Sequence, residues 1–266
     1  MFRRDLYRGT ARDYERFRVP YPPGLTGDLA DRAGADGRGT LLDLACGTGL
    51  LGFALRPRFA EVWAVDQEPD MIAVVREKAR AAGLRNVRAM TCAAEEFEAP
   101  GGSVDLVTIG NAFHRLPREA VAARVFEWLR PGGFLALVWG RGPWAGEAPW
   151  QRAMVATMDR WKTRARAHGR VPPGYEQARQ DRPDGAILRD AGFEAAGTCQ
   201  FLTEHDWTAE DLAGFALSTS VLSRAALGGM TEDFAADLRR ELHASQPDGR
   251  FRQAIDFAYD LARRPA

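Results

Sequence analysis

The stretch LLDLACGTGLLG, residues 41–52, places Gly47, Gly49 and Gly52 in the spacing G-x-G-x-x-G. A glycine-rich turn between a strand and a helix lets the backbone approach a ligand closely, and the helix N-terminus behind it favours negative charge. Asp43 stands near the end of the strand, just ahead of that turn. A carboxylate within several ångströms of a phosphate in a partly desolvated crevice costs on the order of 1 kcal/mol or more. The same carboxylate suits a cationic ligand. The three glycines alone are weak evidence, so their meaning depends on the elements that hold them.

Those elements alternate in the manner of strand-helix-strand units with a parallel sheet. TLLDLA, EVWAVD, NVRAMTC, SVDLVTIG and FLALVWG read as five successive strands, and PDMIAVVREKARAAG and REAVAARVFEWLR as helices between them. Pro69 suits a first helical turn and Gly83 a C-terminal cap. Met71, Ile72, Val75 and Ala79 recur at helical spacing and predict one face against the sheet. The second of these helices is expected to stop at PGG, residues 131–133. Residues 141–185 break the pattern and read as an insertion with one helix over QRAMVATMDRWKTRARAHG, followed by a loop over VPPGYEQARQDRPDG. AILRDAGF leads as a short helix into a sixth strand, EAAGTCQFL. Residues 205–248 read as a second helical insertion. In FRQAIDFAYDLA, Phe251, Ile255, Phe257, Tyr259 and Leu261 fall on odd positions, a period near two that predicts a seventh strand. The expected fold is α/β: residues 1–40 as an N-terminal arm, 41–140 as the binding core, and 186–204 and 249–264 as remaining sheet elements of one domain.

S-adenosylmethionine carries a sulfonium and an ammonium and no phosphate, which turns Asp43 from a liability into a counter-charge. The segment LLDLACGTGLL resembles the first motif of class I S-adenosylmethionine-dependent methyltransferases. VWAVDQEPDM, SVDLVTIGNAFHRLP and LRPGGFLALVWG are similar to that family's later strand motifs, in order and at normal spacing. The resemblance implies a Rossmann-like, seven-stranded, mostly parallel sheet with an antiparallel last strand, its helical insertions forming a lid. It also implies roles for residues: Asp43, Ala45, Cys46, Gly47 and Gly49 in the cofactor turn, and Asp66 accepting from both ribose hydroxyls. Two carboxylate oxygens suit a vicinal diol for a plain geometric reason. Gln67 and Met71 match positions bordering the adenine, and Asn111 one near the amino-acid end of the cofactor. ARDYERFRVPYPPGL is similar to the arm of a small-molecule branch related to ubiquinone-pathway and trans-aconitate-type enzymes. By that likeness Tyr14, Arg18 and Tyr21 close over the cofactor, with Arg18 facing the methionine carboxylate. The chain departs from the family after the third strand: Ala93 stands where an aspartate often accepts from the adenine amino group. Backbone groups near Ala93 and Ala94, or the side chain of Glu95, are the expected substitutes.

Methyl transfer from a sulfonium is an in-line displacement with an activated leaving group, so orientation carries much of the catalysis and a base is needed only when the acceptor loses a proton. Ligands of open parallel sheets bind beyond the strands' carboxyl ends, where the fourth strand gives way to GNAFHRLP. His114 is the first candidate base there, its alternative being a structural histidine at the start of a helix. His205, in TEHDW, is the second candidate. His168 and His243 sit in polar helical settings and read as solvated. Trp139, Trp144, Trp150, Met154, Met158 and Trp161 are expected either to roof an apolar acceptor pocket or to be ordinary core or a homodimer face.

The rest of the composition narrows the alternatives. The chain of 266 residues has formal net charge zero, which gives no global electrostatic case for nucleic acid or an anionic membrane as partner. All basic residues except Lys78 and Lys162 are arginines, a bias read as compositional. Cys46, Cys92 and Cys199 lie far apart without metal-ligand spacing, and no metal is expected. No apolar run approaches the ~20 residues that cross a bilayer, so a cytoplasmic protein is expected. The expected function is transfer of a methyl group to O, N or C of a small molecule, such as a secondary metabolite. A protein that binds the cofactor and uses the pocket without methylating is the alternative, and a nicotinamide-dependent oxidoreductase the third reading.

Overall fold

The short apolar runs separated by helical segments fold as a sheet with its strands in the order β3-β2-β1-β4-β5-β7-β6. The computed structural model describes residues 2–3, 5–170 and 172–266, and of His168 and Glu176 the backbone alone. Two helices come first, α1 (Ala11–Phe17) and α2 (Pro23–Arg32). The central run is β1 (Thr40–Leu44), α3 (Leu50–Leu55), β2 (Glu61–Asp66), α4 (Pro69–Ala81), β3 (Val87–Thr91), β4 (Val104–Gly110), α5 (Arg118–Trp128) and β5 (Leu129–Gly140). Helices α6 (Pro149–Arg164), α7 (Tyr175–Asp181) and α8 (Asp184–Asp190) precede β6 (Glu194–Trp207). Helices α9 (Ala209–Leu217), α10 (Arg224–Leu227) and α11 (Thr231–Ser245) lie between β6 and β7 (Phe251–Arg263).

Strands β1 to β5 pair in parallel, and β7 runs antiparallel to both β5 and β6. The seven-stranded, mostly parallel, Rossmann-like sheet read from the sequence is therefore present. Leu41, Leu42, Leu44, Leu106 and Val107 are buried without remainder, as central strands covered on both faces require. The chain leaves β1 toward β2 on one side and reaches β4 on the other. The ends of β1 and β4 thus meet at the topological switch point, where a crevice opens for a ligand. The period-two reading of the last strand also holds: Phe251, Ile255, Phe257, Tyr259 and Leu261 are all buried.

Two local expectations change, and one that had two readings resolves. Helix α5 stops at Trp128 and β5 begins at Leu129, with the PGG segment inside the strand as a bulge against β4, between the pairings of Val104 and Leu106. Gly132 takes φ +77° there, which glycine adopts without strain. The segment expected as a loop before α8 contains α7. The Met/Trp stripe of α6 is core, since Trp150, Met154, Met158 and Trp161 are buried against α11 and β7. Trp161 packs edge-on to Phe234, and its indole N–H donates to Asp237 at 2.7 Å.

The N-terminal arm is a packed part of the fold. Arg224 donates to Asp13 of α1 at 2.7 Å, and Lys78 of α4 donates to Glu15 at 3.0 Å. Helices α1 and α9 approach so closely that a Cβ on Gly214 would stand 2.3 Å from the Phe17 ring. Gly214→Ala is therefore expected to destabilise the fold by about 1–3 kcal/mol through overpacking. Thermal denaturation checks this, and Phe17→Leu in the same chain should recover part of the loss.

Candidate active site

The turn after β1 is held by backbone geometry that few residues adopt. Ala45 has φ +53°, Gly47 +56° and Gly49 +79°, and at the end of β4 Asn111 has φ +51°. For Ala45 this left-handed conformation carries a steric cost, and such outliers gather where a site requires them. Asn111 tolerates it better, with its N–H donating to the Val138 carbonyl at 2.8 Å. Gly49 caps α3, and the N–H of Phe53 donates back to its carbonyl at 2.9 Å.

Two adjoining cavities open over this turn. The smaller, about 90 Å3, is lined by Tyr14, Ala45, Gly47, Asp66, Gln67, Met71, Ala94 and Asn111, all expected at the cofactor site, and also by Tyr7, Glu68, Cys92, Gly110, Ala112, Arg115 and Leu116. The larger, about 230 Å3, shares Tyr7, Tyr14, Asn111 and Arg115 with it. Its remaining wall includes Arg18, Tyr21, His114, Arg141, Trp144, Trp207, Phe215 and Phe257. Tyr14 lies over the glycine turn, 3.5 Å from the position a Cβ on Gly47 would take.

Asp66 anchors the smaller cavity. One of its oxygens accepts from the Gly47 N–H at 2.8 Å and the other from the Glu68 N–H at 2.9 Å. Each oxygen retains a further acceptor site for a ligand hydroxyl. Burial raises its pKa, and the two backbone donors oppose that rise. Glu68 is 4% exposed, and its Oε1 has no hydrogen-bond partner. A buried acceptor without a donor is costly, and Glu68 is among the residues that line this cavity.

Asp43 has a different place from the one expected. It is 1% exposed and lines neither cavity. Lying beneath the turn, it accepts from the Gly52 N–H and from the Thr108 hydroxyl, each at 2.9 Å. Burial pushes its carboxyl up to about 7 against those two hydrogen bonds. It is a latch for the turn rather than a counter-charge in contact with a ligand. Gly52 is required for that latch, because a Cβ there would come 2.8 Å from Asp43 Oδ2.

Other expected residues also fall outside the smaller cavity. Cys46 and Gly49 support the turn from behind; the Cys46 thiol donates to the Gly47 carbonyl at 3.4 Å, and burial raises its pKa well above the ordinary value. Ala93 and Glu95 do not line it, because the Glu96 and Phe97 N–H groups donate to the Ala93 carbonyl and close a turn that presents Cys92 and Ala94 instead. Arg18 and Tyr21 line the larger cavity only. Arg18 donates to the Ser218 hydroxyl at 2.8 Å and lies between the rings of Tyr14 and Phe215.

The two candidate histidines have different surroundings. His114 lines the larger cavity, but its Nε2 accepts from Arg115 Nε at 3.1 Å. Burial, followed by the charges of Arg115, Arg179 and Arg118, pushes its pKa down to about 3. His205 packs against Trp207 and lines neither cavity, and burial lowers its pKa as well. His168's side chain lies outside the described residues. Of the expected lid tryptophans only Trp144 reaches the larger cavity. The sequence reading missed Tyr7, Glu68, Arg115, Trp207 and Phe215, although Glu68 and Arg115 each neighbour a residue it had marked.

Residues 41–133 match the family described as a methyltransferase domain. The chain is similar to an uncharacterized methyltransferase of Schizosaccharomyces pombe, 35% identical over 48% of this chain and 49% of that protein. It is also similar to an uncharacterized methyltransferase of Mycobacterium bovis, 38% identical over 47% of this chain and 48% of that one. The chain thus spans about half the length of the curated relatives it matches. A solved structure described as a type II methyltransferase of Anaeromyxobacter dehalogenans shares the fold with a TM-score of 0.63 at 20% identity, covering 93% of this chain and 97% of that one. Residues 41–133, which carry the glycine turn, Asp66 and Asn111, thus match a methyltransferase domain, and the sheet order is that of the fold shared with the solved methyltransferase structure.

The latch has a pH signature. An unfolded aspartate titrates near 4 and Asp43 in the fold near 7, so between these values the folded chain holds a proton the unfolded chain has lost. Its contribution to stability is complete below about pH 4 and is lost as pH rises through about 7. Asp43→Asn keeps a donor and an acceptor for Thr108 and Gly52 without titrating. Denaturant titrations at pH 4.5 and 7.5 should show a smaller loss of stability in the variant than in the native chain.

Proposed function

We propose that the protein transfers the methyl group of S-adenosylmethionine to a small molecule, with the cofactor in the smaller cavity and the acceptor in the larger. The observation that carries this reading is the pair of cavities sharing one wall of Tyr14, Asn111 and Arg115 at the switch point of the sheet. The smaller cavity fits the cofactor by its chemistry: Asp66 and Glu68 offer acceptors for hydroxyl or amino groups, and Met71, Ala94 and Leu116 offer apolar surface for a flat ring. A phosphate would meet both carboxylates, which argues against a dinucleotide.

When bound, S-adenosylmethionine supplies an activated methyl group on a sulfonium. The chain's own residues then hold the acceptor against the shared wall and exclude water, which favours an in-line approach. Tyr14 and Tyr21 are half-buried, and desolvation raises both phenol pKa values, so each stays protonated. His114, neutral and with its lone pair engaged, also acts as an orienting group. This pattern supports an acceptor that is nucleophilic without help from a strong base in the cavity.

Calorimetry with S-adenosylhomocysteine tests the cofactor placement. Asp66→Ala should weaken binding by about 1–3 kcal/mol, and Glu68→Ala by about 1 kcal/mol while Glu68→Gln retains most of it. Unchanged affinity in both alanine variants would remove the cofactor from this cavity. Labelled-methyl transfer to an acceptor then separates methylation from cofactor binding without transfer.

For His114 the expectation is a small effect. A general base contributes roughly 10²-fold or more, whereas His114→Ala should lower the rate less than about tenfold and leave the pH profile without a limb near 6.5. A larger loss accompanied by removal of such a limb would restore it as the base.

A further inference from the structure

We propose that the acceptor is a small organic anion, its negative group held by Arg18 and Arg141 and its apolar body packed against Trp207, Phe215 and Phe257. This rests on the assignment of the adjoining cavity to the cofactor. The larger cavity is lined by Arg18, Arg115 and Arg141, and by no aspartate or glutamate among the described residues. The bonds made by Arg18 and Arg115 go to neutral groups: Ser218 for the first, His114 and the Ser220 hydroxyl for the second. A fourth guanidinium, that of Arg170, donates to the carbonyls of Ser220 and Leu6 beside the wall and adds to the positive field.

Arg18 and Arg115 are half-buried, and half-buried cations facing neutral groups are costly unless a counter-ion completes them, whereas Arg141 is exposed and adds its charge from the cavity's edge. The cofactor supplies one carboxylate, and Arg115, which borders both cavities, is placed to take it. Arg18 and Arg141 border the larger cavity only, which leaves two guanidinium groups for the acceptor. A sulfonium at the shared wall would also be repelled by this positive surface in the absence of an anion. An anionic acceptor removes that repulsion and, as a nucleophile, needs no proton taken from it, in keeping with the engaged His114. The aromatic surface sets the rest of the molecule: Phe215 packs edge-on to Trp207 with ring centroids 5.4 Å apart and ring planes 81° apart, an apolar corner beside the charges.

The test uses the full chain saturated with S-adenosylhomocysteine, whose own binding is measured first in the calorimeter. Three probes follow: 3-phenylpropanoate, phenyl phosphate and the neutral 3-phenylpropanamide. At least one anion should bind about tenfold or more tightly than the amide, and the better of the two identifies carboxylate or phosphate as the preferred group. Arg141→Gln, at an exposed side chain, should reduce that ratio severalfold with S-adenosylhomocysteine affinity within about twofold of native; Arg18→Gln should reduce it further. If S-adenosylhomocysteine binds but the amide matches both anions, or no probe binds at millimolar concentration, the anionic acceptor is overturned and the cofactor assignment stands. If S-adenosylhomocysteine itself fails to bind, the cofactor assignment falls first.

Discussion

One buried carboxylate holds the site's geometry together. Asp43 joins β1, where it resides, to α3 through the Gly52 N–H and to β4 through the Thr108 hydroxyl. These three elements frame the switch point, so the latch sets where the turn leaves β1 and how α3 is aimed. Glycine at position 52 follows from the same contact. The left-handed Ala45 lies between the latch and Gly47, whose N–H the second carboxylate, Asp66, receives. A turn of this kind is stable only because buried acceptors on both sides satisfy its donors.

The site built on the turn is divided by charge. Asp66 and Glu68 face the smaller cavity, and Arg18 and Arg141 face the larger. The wall between them is mostly neutral, with Tyr14 and Asn111, and Arg115 sits at its border. Such a partition sorts ligands by sign before any specific hydrogen bond forms. Under the proposed function, a cationic, hydroxyl-bearing ligand is favoured on one side and an anion on the other, which would bring opposite charges together where a nucleophile and a sulfonium meet.

Much of this was legible in the chain, and the reasons differ by residue. Parallel strands place their carboxyl ends at one edge, so Ala45, Gly47, Asp66, Gln67 and Asn111 could be assigned to a common crevice from order alone. The direction of a side chain within a central strand was not so legible. Asp43 lies in a strand buried on both faces, and its acidity argued for the right sign of ligand while its contacts are all with the protein. The acidic groups that reach the cavity belong to the end of β2. The low basicity of His114 was not legible because its largest cause is burial; of the arginines that lower its pKa further, Arg115 and Arg118 adjoin it in the chain, while Arg179 is brought in by α7. The α6 stripe had two readings with the same period, and only the position of α11 selects the core one.

The arginine bias of the chain shows how composition and position separate. Many of these side chains pair with carboxylates, such as Arg32 with Asp28 and Arg88 with Glu61, where exposure keeps each pair's contribution small. A guanidinium is equally common in the sequence whether or not it faces a cavity, so counting cannot distinguish the two. What distinguishes Arg18 is that its donors meet Ser218 alone while its plane lies between Tyr14 and Phe215. Stacking fixes the group without neutralising it. A charge fixed by neutral contacts beside a cavity retains its field for a ligand, and in this way a chain of zero net charge presents a strongly basic pocket.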